Sequence, residues 1–275
     1  MSIVDCHVHL NSYDEINKTG NWVPSLQGRF NELIESMDKN SIAYSLILSS
    51  YKVDANRPST SQIIDAINLN NVGNRIGVIA GFTIDNHTEE DLTNYRNWIK
   101  DGIIKGIKLY CGYEHHYPYD ERYQIVYEMC TEFDCPVMIH TGDAFSNKAK
   151  IKYSHPLNID DVAVDNPDLK IVMCHMGNPW ITDCQEVLYK NKNVYADISG
   201  FVIGNFTLSG ESHYVNKVNE VLNYVESPHQ LLYGSDWPIS NMDSYISFVQ
   251  KLGLDKESYE LLMFRNSKNV FKLSF

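Results

Sequence analysis

Eight apolar, β-branched runs recur along the chain and alternate with segments of helical periodicity. The runs span residues 2–6, 43–49, 75–82, 103–109, 136–140, 170–175, 193–198 and 230–235. Between them, apolar side chains recur at the three- and four-residue spacing of an amphipathic helix. A strand followed by a helix eight times over is the pattern of a (β/α)₈ barrel. We therefore predict an α/β fold of the TIM-barrel type, with extra C-terminal helices near 256–264 and 266–272.

The length and composition favour one large core. The chain has 275 residues, of which 43% are hydrophobic, and this content suits a single barrel. No internal repeat, low-complexity tract or proline-rich linker interrupts it. We predict one domain over residues 1–275.

The net charge of −12 limits the kinds of partner. Nucleic acid backbones and anionic lipids both attract basic patches, so neither is an expected partner. No run of about 18 apolar residues predicts a membrane span, and Asp5 and His7 interrupt the region where a secretory signal would lie. Six cysteines without a Cys-x-x-Cys spacing are typical of reduced thiols in a cytoplasmic protein. The expected partner is a small-molecule substrate, with a homo-oligomer left open.

Side chains that can bind a metal stand at the end of four of the eight runs. His7 and His9 end the first, His140 the fifth, His175 the sixth and Asp236 the eighth. Alternate side chains of a strand share a face, so His7 and His9 point the same way. The carboxyl ends of barrel strands meet at one mouth. Imidazoles and a carboxylate gathered there are typical ligands for zinc or a similar divalent ion.

Six stretches, in chain order, resemble the amidohydrolase-2 branch of the amidohydrolase superfamily, which includes aminocarboxymuconate-semialdehyde decarboxylase, γ-resorcylate decarboxylase and pyrone-dicarboxylate lactonase. They are Val4-Asp-Cys-His-Val-His9, Gly106-Ile-Lys-Leu109, Pro136-Val-Met-Ile-His-Thr-Gly142, Ile171-Val-Met-Cys-His-Met-Gly177, Val194-Tyr-Ala-Asp-Ile-Ser199 and Leu232-Tyr-Gly-Ser-Asp-Trp-Pro238. The tail from residue 266 to residue 273 is similar to the closing helix of that branch. The resemblance implies a metal-dependent barrel enzyme.

Carried over residue by residue, the resemblance implies a ligand set and catalytic roles. His7, His9, His140 and Asp236 correspond to the metal ligands, for one divalent ion that we expect to be zinc, with manganese as the alternative. Asp236 is also implied as the group that accepts a proton from water. His175 corresponds to a histidine that lies beside the metal in decarboxylase relatives and binds the metal directly in other members, so both roles stay open.

Five further residues are candidates for substrate binding: Lys108, Tyr110, Tyr113, Asp143 and Trp237. Lys108 stands where some binuclear relatives carry a carboxylated lysine that bridges two metals. Because the branch is usually mononuclear, the alternative is a plain cation paired with a carboxylate. The two tyrosines and Asp143 lie in loops after strands, where barrel enzymes bind substrate, and Trp237 is a candidate apolar wall.

These residues predict a metal-dependent hydrolase of a small carbonyl compound, namely an amide, a lactone or an ester. A metal-activated water would attack the carbonyl carbon. The alternative is a metal-dependent lyase that decarboxylates an unsaturated or aromatic acid without oxidation. The shorter length of this chain than the branch's decarboxylases favours hydrolysis. A barrel that only binds a ligand is disfavoured, because all five positions at the strand ends carry the chemistry.

Overall fold

Eight parallel strands form one sheet whose order is the order of the sequence. The computed structural model describes residues 2–12, 25–226 and 228–274; positions 1, 13–24, 227 and 275 of the predicted domain lie outside them. The strands are β1 Ile3–Val8, β2 Ile42–Leu48, β3 Ile76–Gly81, β4 Ile104–Leu109, β5 Val137–His140, β6 Ile171–Cys174, β7 Val194–Asp197 and β8 Leu231–Leu232. The sheet curls into a barrel because the chain beyond β8 bonds to β1, with Cys6 N–H donating to the Tyr233 carbonyl over 3.0 Å. The predicted TIM-barrel fold is confirmed.

Helices separate the strands, as the apolar periodicity predicts. They are α1 Leu26–Lys39, α2 Thr60–Asn70, α3 Glu89–Lys100, α4 Gln124–Glu132, α5 Asn158–Asp165, α6 Ile181–Lys190, α7 Leu208–Val225, α8 Met242–Gln250, α9 Lys256–Glu260 and α10 Asn266–Val270. A π-helical turn, Leu261–Arg265, joins α9 to α10, so the two predicted C-terminal helices are present as one nearly continuous segment. Among the described residues, no helix has the length and apolar character to cross a membrane.

The barrel interior is apolar at its foot, the end where the strands begin, and polar at the end where the strands finish. On β5, Met138 belongs to the interior apolar cluster, and His140, two residues later on the same face, lines the cavity above it. On β4, Lys108 reaches the same cavity. The polar side chains at the carboxyl ends therefore stand on a packed floor, as in other barrels of this type.

The foot of the barrel is filled by the C-terminal segment that follows α10. Phe271 and Leu273 are 2% and 4% exposed and belong to the same apolar cluster as Val4 and Tyr44 near the starts of β1 and β2. The other face of the strands packs against the helices in a second, larger cluster. The C-terminal segment therefore plugs the end of the barrel opposite the polar cavity.

The second of two register shifts in β1 changes which way its side chains point. The pairing of β1 with β2 shifts register between Asp5 and Val8, which is the mark of a β-bulge, a feature common next to active sites. Cys6 therefore packs in the interior apolar cluster, and His7, the next residue, also faces inward and lines the cavity.

Candidate metal centre and active site

A cavity of about 530 Å³ opens at the carboxyl ends of the strands. Eight of the ten residues that the sequence singled out line it: His7, His9, Lys108, Tyr110, Tyr113, His140, His175 and Asp236. The strand-end positions therefore meet at one mouth, as the barrel geometry predicts.

Three atoms converge at the base of this cavity, from the end of β1, the residue that follows it and the loop after β8. His7 Nε2 lies 3.3 Å from His9 Nε2, and Asp236 Oδ1 lies 3.4 Å from His9 Nε2 and 3.7 Å from His7 Nε2. All three residues are buried. The loop that carries Asp236 is held against β1 by two backbone hydrogen bonds, from Asp236 N–H to the His7 carbonyl (2.8 Å) and from His9 N–H to the Trp237 carbonyl (2.7 Å).

The surroundings of the two histidines fix which ring nitrogen carries the proton. His9 Nδ1 lies 3.0 Å from the Leu48 carbonyl oxygen, which can only accept a hydrogen bond, so Nδ1 is the protonated nitrogen. His7 Nδ1 lies 2.8 Å from Asp197 Oδ2, which imposes the same tautomer. Burial lowers the pKa of His7, although the neighbouring Asp197 opposes this, so the ring is neutral. Both Nε2 atoms therefore present lone pairs to each other.

These three electron-pair donors are arranged as the ligands of a cation would be. Two imidazole lone pairs and a carboxylate oxygen face one another without a hydrogen, and Asp236 Oδ1 is buried with no hydrogen-bond partner among the described residues. Such an arrangement is repulsive by itself, and a positive ion at its centre would relieve the repulsion. Ligands about 2.0–2.2 Å from a tetrahedral zinc stand roughly 3.3–3.6 Å from one another, close to the separations found here. The residues therefore fit a divalent metal ion.

His140 lies across the cavity floor but outside this three-atom group. Its Nε2 donates to the Asp143 carbonyl over 2.9 Å, which leaves Nδ1 with a lone pair. Burial, together with the neighbouring His175 and Lys108, holds the pKa of His140 well below its usual range. The predicted third histidine ligand is therefore neutral and has a free nitrogen, although the structure does not bring that nitrogen into the group formed by His7, His9 and Asp236.

His175 presents the same kind of group. Ser199 Oγ donates to Asp197 Oδ1 over 2.5 Å, so its oxygen accepts from His175 Nδ1–H at 2.9 Å. Nε2 is left with a lone pair. Burial and the adjacent His7 ring lower the pKa of His175 to about 4. The ring centres of His175 and His7 are 4.8 Å apart, so this base lies directly beside the three-donor group.

Asp197, at the end of β7, links these histidines and was not predicted as a functional residue. One carboxylate oxygen accepts from His7 Nδ1–H, and the other accepts from the backbone N–H of His175 and of Ser199, at 2.9 Å and 3.1 Å. The side chain is completely buried. Burial alone would raise its pKa, but the contact with His7 outweighs this and holds the pKa of Asp197 far below the ordinary range. A carboxylate in this place orients a metal-binding imidazole.

A second buried carboxylate fixes the relation between β1 and the loop after β8. Asp5 Oδ1 accepts from Ser235 N–H (3.0 Å) and His7 N–H (3.2 Å), and Asp5 Oδ2 accepts from Ser235 Oγ–H at 2.6 Å. Burial raises the pKa of Asp5 to about 7. This residue therefore holds the backbone of His7 and of the segment that ends in Asp236 in one register.

Gly200 leaves room for the His175 ring and offers a direct test of that packing. Its φ is +68°, and a β-carbon there would lie 2.3 Å from His175 Nδ1. Gly204 has a similar φ of +73°, but a β-carbon there would meet nothing within 4 Å. Both alanine variants carry the backbone strain of a left-handed residue, about 1–2 kcal/mol.

We expect Gly200→Ala to be less stable than Gly204→Ala, and to lose turnover as well, because only the former displaces His175 from Ser199. Chemical unfolding and rate measurements on both proteins check this. Equal stability and equal rates for the two variants would contradict the placement of His175.

The candidate substrate residues near β4 form one wall of the cavity. Tyr110 Oη donates to the Ser49 carbonyl over 2.7 Å, and Tyr113 Oη accepts from Phe145 N–H over 3.0 Å. The ring of Tyr113 packs edge-on against His140, with centres 4.8 Å apart. The carboxylate partner considered for Lys108 is not found among the described residues: its Nζ contacts Cys174 Sγ.

Two predicted substrate residues do not line the cavity. The side chain of Asp143 is exposed, because Gly142 turns the chain and the Asp143 carbonyl, rather than its carboxylate, faces His140. The Trp237 ring is buried in the cluster between strands and helices, because the Trp237 carbonyl pairs with His9 and draws the residue alongside β1. Ile239 lines the cavity from this loop instead.

Comparison with known proteins places the chain in a family. The model of a family described as Amidohydrolase (Amidohydro_2) matches residues 4–273. No curated protein sequence matches the chain.

Solved structures share the fold at low sequence identity. An uncharacterized TIM-barrel protein from Bordetella bronchiseptica superposes with a TM-score of 0.76 at 19% identity, covering 99% of both chains. A probable 2-pyrone-4,6-dicarboxylic acid hydrolase from Acinetobacter baumannii, with citric acid bound, has a TM-score of 0.67 at 17% identity, over 99% of this chain and 100% of the other. A dihydroxybenzoic acid decarboxylase from Polaromonas sp., with bound manganese and 2-nitroresorcinol, has a TM-score of 0.67 at 13% identity, over 99% and 97%.

Proposed function

Since this chain belongs to the amidohydrolase family Amidohydro_2, we propose that it is a metal-dependent hydrolase of a small amide, lactone or ester. The observation that carries the proposal is the buried group of three electron-pair donors, His7 Nε2, His9 Nε2 and Asp236 Oδ1, which face one another with no hydrogen between them. We propose that these atoms hold one divalent ion, zinc or alternatively manganese, with His140 Nδ1 as the further ligand.

A divalent ion held there would supply Lewis acidity, polarising a carbonyl oxygen and acidifying water. The chain's own residues supply the proton transfers. Asp236 has a second carboxylate oxygen outside the three-donor group, which can accept a proton from water. A carboxylate is ordinarily ionised at neutral pH, and a divalent ion beside Asp236 would keep it so, which leaves this oxygen able to act as a base.

His175 supplies a second base beside Asp236. Its Nδ1 proton is engaged by Ser199, so Nε2 can take a proton from Asp236 or from water and return it to the leaving group. A pKa lowered to about 4 makes the protonated ring a strong acid once it forms. This pairing of a base with a nearby acceptor suits a reaction that begins by deprotonating water.

The tautomers favour hydrolysis over decarboxylation. A decarboxylase of this kind must deliver a proton to carbon, whereas a hydrolase must first remove one from water. The N–H groups of His7, His9, His140 and His175 are all committed to acceptors in the protein. The four imidazoles therefore offer lone pairs, which act as metal ligands or as bases.

The second candidate function is non-oxidative decarboxylation of an unsaturated or aromatic acid. The fold similarity to a dihydroxybenzoic acid decarboxylase is as close as that to the probable pyrone-dicarboxylic acid hydrolase, with TM-scores of 0.67 in both cases. In that reaction the same residues would hold the metal, which would supply a binding site for the oxygens of the substrate, and Asp236 or His175 would have to be protonated before turnover.

We expect purified protein to carry about one transition-metal ion per chain, because one set of ligands converges in the cavity. Elemental analysis of protein prepared without chelators measures this. His7→Ala should lose the metal, since no neighbouring group replaces the imidazole, whereas His213→Ala, at an exposed site on α7, should keep it. A content near zero after supplementation would refute the proposed centre, and a content near two would point to a bridging, carboxylated Lys108.

The reaction class is decided by the fate of solvent atoms. Lactones, amides, esters and aromatic acids are screened with the metal-loaded protein, and any substrate found is turned over in ¹⁸O-labelled water and separately in D₂O. We expect mass spectrometry to find ¹⁸O in a new carboxylate of the product. Release of CO₂ with deuterium on carbon and no ¹⁸O would instead establish the decarboxylase.

A further inference from the structure

A buried cation lies on the cavity floor, outside the group formed by His7, His9 and Asp236. Lys108, the fifth residue of β4, is only 1% exposed and lines the same cavity as His7, His140 and His175. Its Nζ contacts Cys174 Sγ at 2.5 Å and lies 5.4 Å from the centre of the Tyr110 ring. Within residues 2–12, 25–226 and 228–274, no carboxylate pairs with this ammonium.

The ammonium has hydrogen-bonding capacity that the protein does not use. A lysine ammonium has three N–H donors and no acceptor. One donor meets the sulfur of Cys174, which is a weak acceptor. The structure gives no oxygen partner for the other two donors in the described part of the chain. A buried charge is ordinarily paired with an opposite charge, but the described residues provide no anion for the Lys108 ammonium.

The other groups of the cavity do not supply that anion. The cavity's second cation, Arg57, already pairs with Asp54, with Nη1 and Oδ2 2.7 Å apart. Asp236 is directed at the histidine pair and would be neutralised by the metal. With a divalent ion in place, the floor would carry a net positive charge inside a chain whose net charge is −12. A local field of this sign draws anions into the cavity.

We propose that Lys108 is a specificity-determining residue that binds a carboxylate group of the substrate, separate from the bond that is cleaved. This proposal rests on the proposed function only in treating the cavity as the substrate site. A carboxylate brings one negative charge and two acceptor oxygens, which match the one charge and the two unused donors of Lys108. A phosphate dianion fits less well, because its second negative charge would need another unpaired cation and the described lining residues offer none.

The test measures binding of benzoate and of its neutral isostere benzamide by calorimetry. The proteins are the wild type, Lys108→Met and the control Lys105→Met. Lys105 lies at the opposite end of β4 and donates to the Gly102 carbonyl, so the same chemical change there leaves the cavity intact. Each protein is used metal-loaded and after metal removal, because a carboxylate can also bind a metal directly.

We expect the wild type and Lys105→Met to bind benzoate at least about tenfold more tightly than benzamide in both metal states, a difference of about 1.4 kcal/mol. Lys108→Met should weaken benzoate binding by about the same factor and leave benzamide binding unchanged. The proposal would be overturned if the wild type bound no benzoate, or bound benzoate and benzamide equally. It would also be overturned if the preference for benzoate disappeared on metal removal and was retained in metal-loaded Lys108→Met, because the metal would then be the group that binds the carboxylate.

A second measurement covers the case in which Lys108→Met does not fold. A crystal structure of the wild type with benzoate should place a carboxylate oxygen within about 3.2 Å of Lys108 Nζ, and a carboxylate bound elsewhere would overturn the assignment. Both measurements are independent of turnover. If the protein binds no metal, the proposed hydrolase fails, while the acid preference of the metal-free protein still tests Lys108.

Discussion

Asp236→Asn should retain most of the bound metal and lose turnover by about 10²–10⁴-fold, the usual contribution of a general base. The asparagine keeps a neutral oxygen that can face His7 and His9, but it no longer accepts a proton from water. Rates on a substrate found by the screen, together with elemental analysis of the same preparation, separate the two effects. Asp243→Asn, at an exposed position on α8, is the matched control and should keep full activity.

Asp236→Asn should also be more stable than the wild type once the metal is removed. In the metal-free wild type, three electron-pair donors face one another at 3.3–3.7 Å, whereas an asparagine can turn its NH₂ group toward the two Nε2 lone pairs and donate to them. Thermal unfolding of both proteins in chelator measures this. Full activity of Asp236→Asn would refute the role of Asp236 as a base. Equal unfolding temperatures for the two metal-free proteins would refute the proposed tautomers.

Asp197→Asn should destabilise the protein by about 1–3 kcal/mol, the usual cost of leaving a buried hydrogen-bonding group unsatisfied, and weaken metal binding by about 10–100-fold. The wild-type carboxylate accepts from His7 on one oxygen and from His175 and Ser199 on the other. An asparagine must turn its NH₂ group toward one of these donor sets. Urea unfolding and competition with a metal chelator measure the two losses.

The pH dependence gives a further signature of Asp197. Because its folded pKa is depressed, its stabilising contribution is present above the unfolded pKa of about 3.9 and is lost as the pH falls below that value. The stability gap between wild type and Asp197→Asn should therefore be widest near neutral pH and narrow below about pH 4. The control Asp134→Asn removes an exposed carboxylate that pairs with Lys170 and Lys272, and should cost at most about 1 kcal/mol. A gap no larger than that of the control would refute the role assigned to Asp197.

The features of this protein that repeat along the sequence were the ones that could be predicted from it. Strand and helix periodicity recurs eight times, so the barrel followed from pattern alone, and the barrel in turn brought His7, His9 and Asp236 to one end. The weakest boundary was the last strand. The apolar run 230–235 continues beyond β8, which ends at Leu232, because Tyr233 N–H bonds to the Leu262 carbonyl instead of a neighbouring strand.

What the sequence did not reveal depends on contacts between distant positions. Asp197 lies 190 residues from His7. It stands near the end of the seventh apolar run and in one of the six family-like stretches, but nothing in that pattern shows that it contacts a histidine of β1. The tautomers of His9 and His140 depend on the backbone carbonyls of Leu48 and Asp143. Because every residue has a backbone carbonyl, the sequence does not identify these two as the acceptors. Trp237 was a candidate for an apolar wall of the cavity, but its backbone pairs alongside β1 and its ring is buried in the core.

The plug at the foot of the barrel has a consequence for how the protein is made. All eight strands have left the ribosome before Phe271 and Leu273 do, since the chain emerges from its amino end. Until those two side chains arrive, the apolar lining around Val4 and Tyr44 is exposed at an open-ended barrel. Exposed apolar surface of this kind attracts chaperones and promotes aggregation. A nascent chain interrupted after the loop that carries Asp236 would therefore contain every proposed metal ligand and still be a target for cellular quality control.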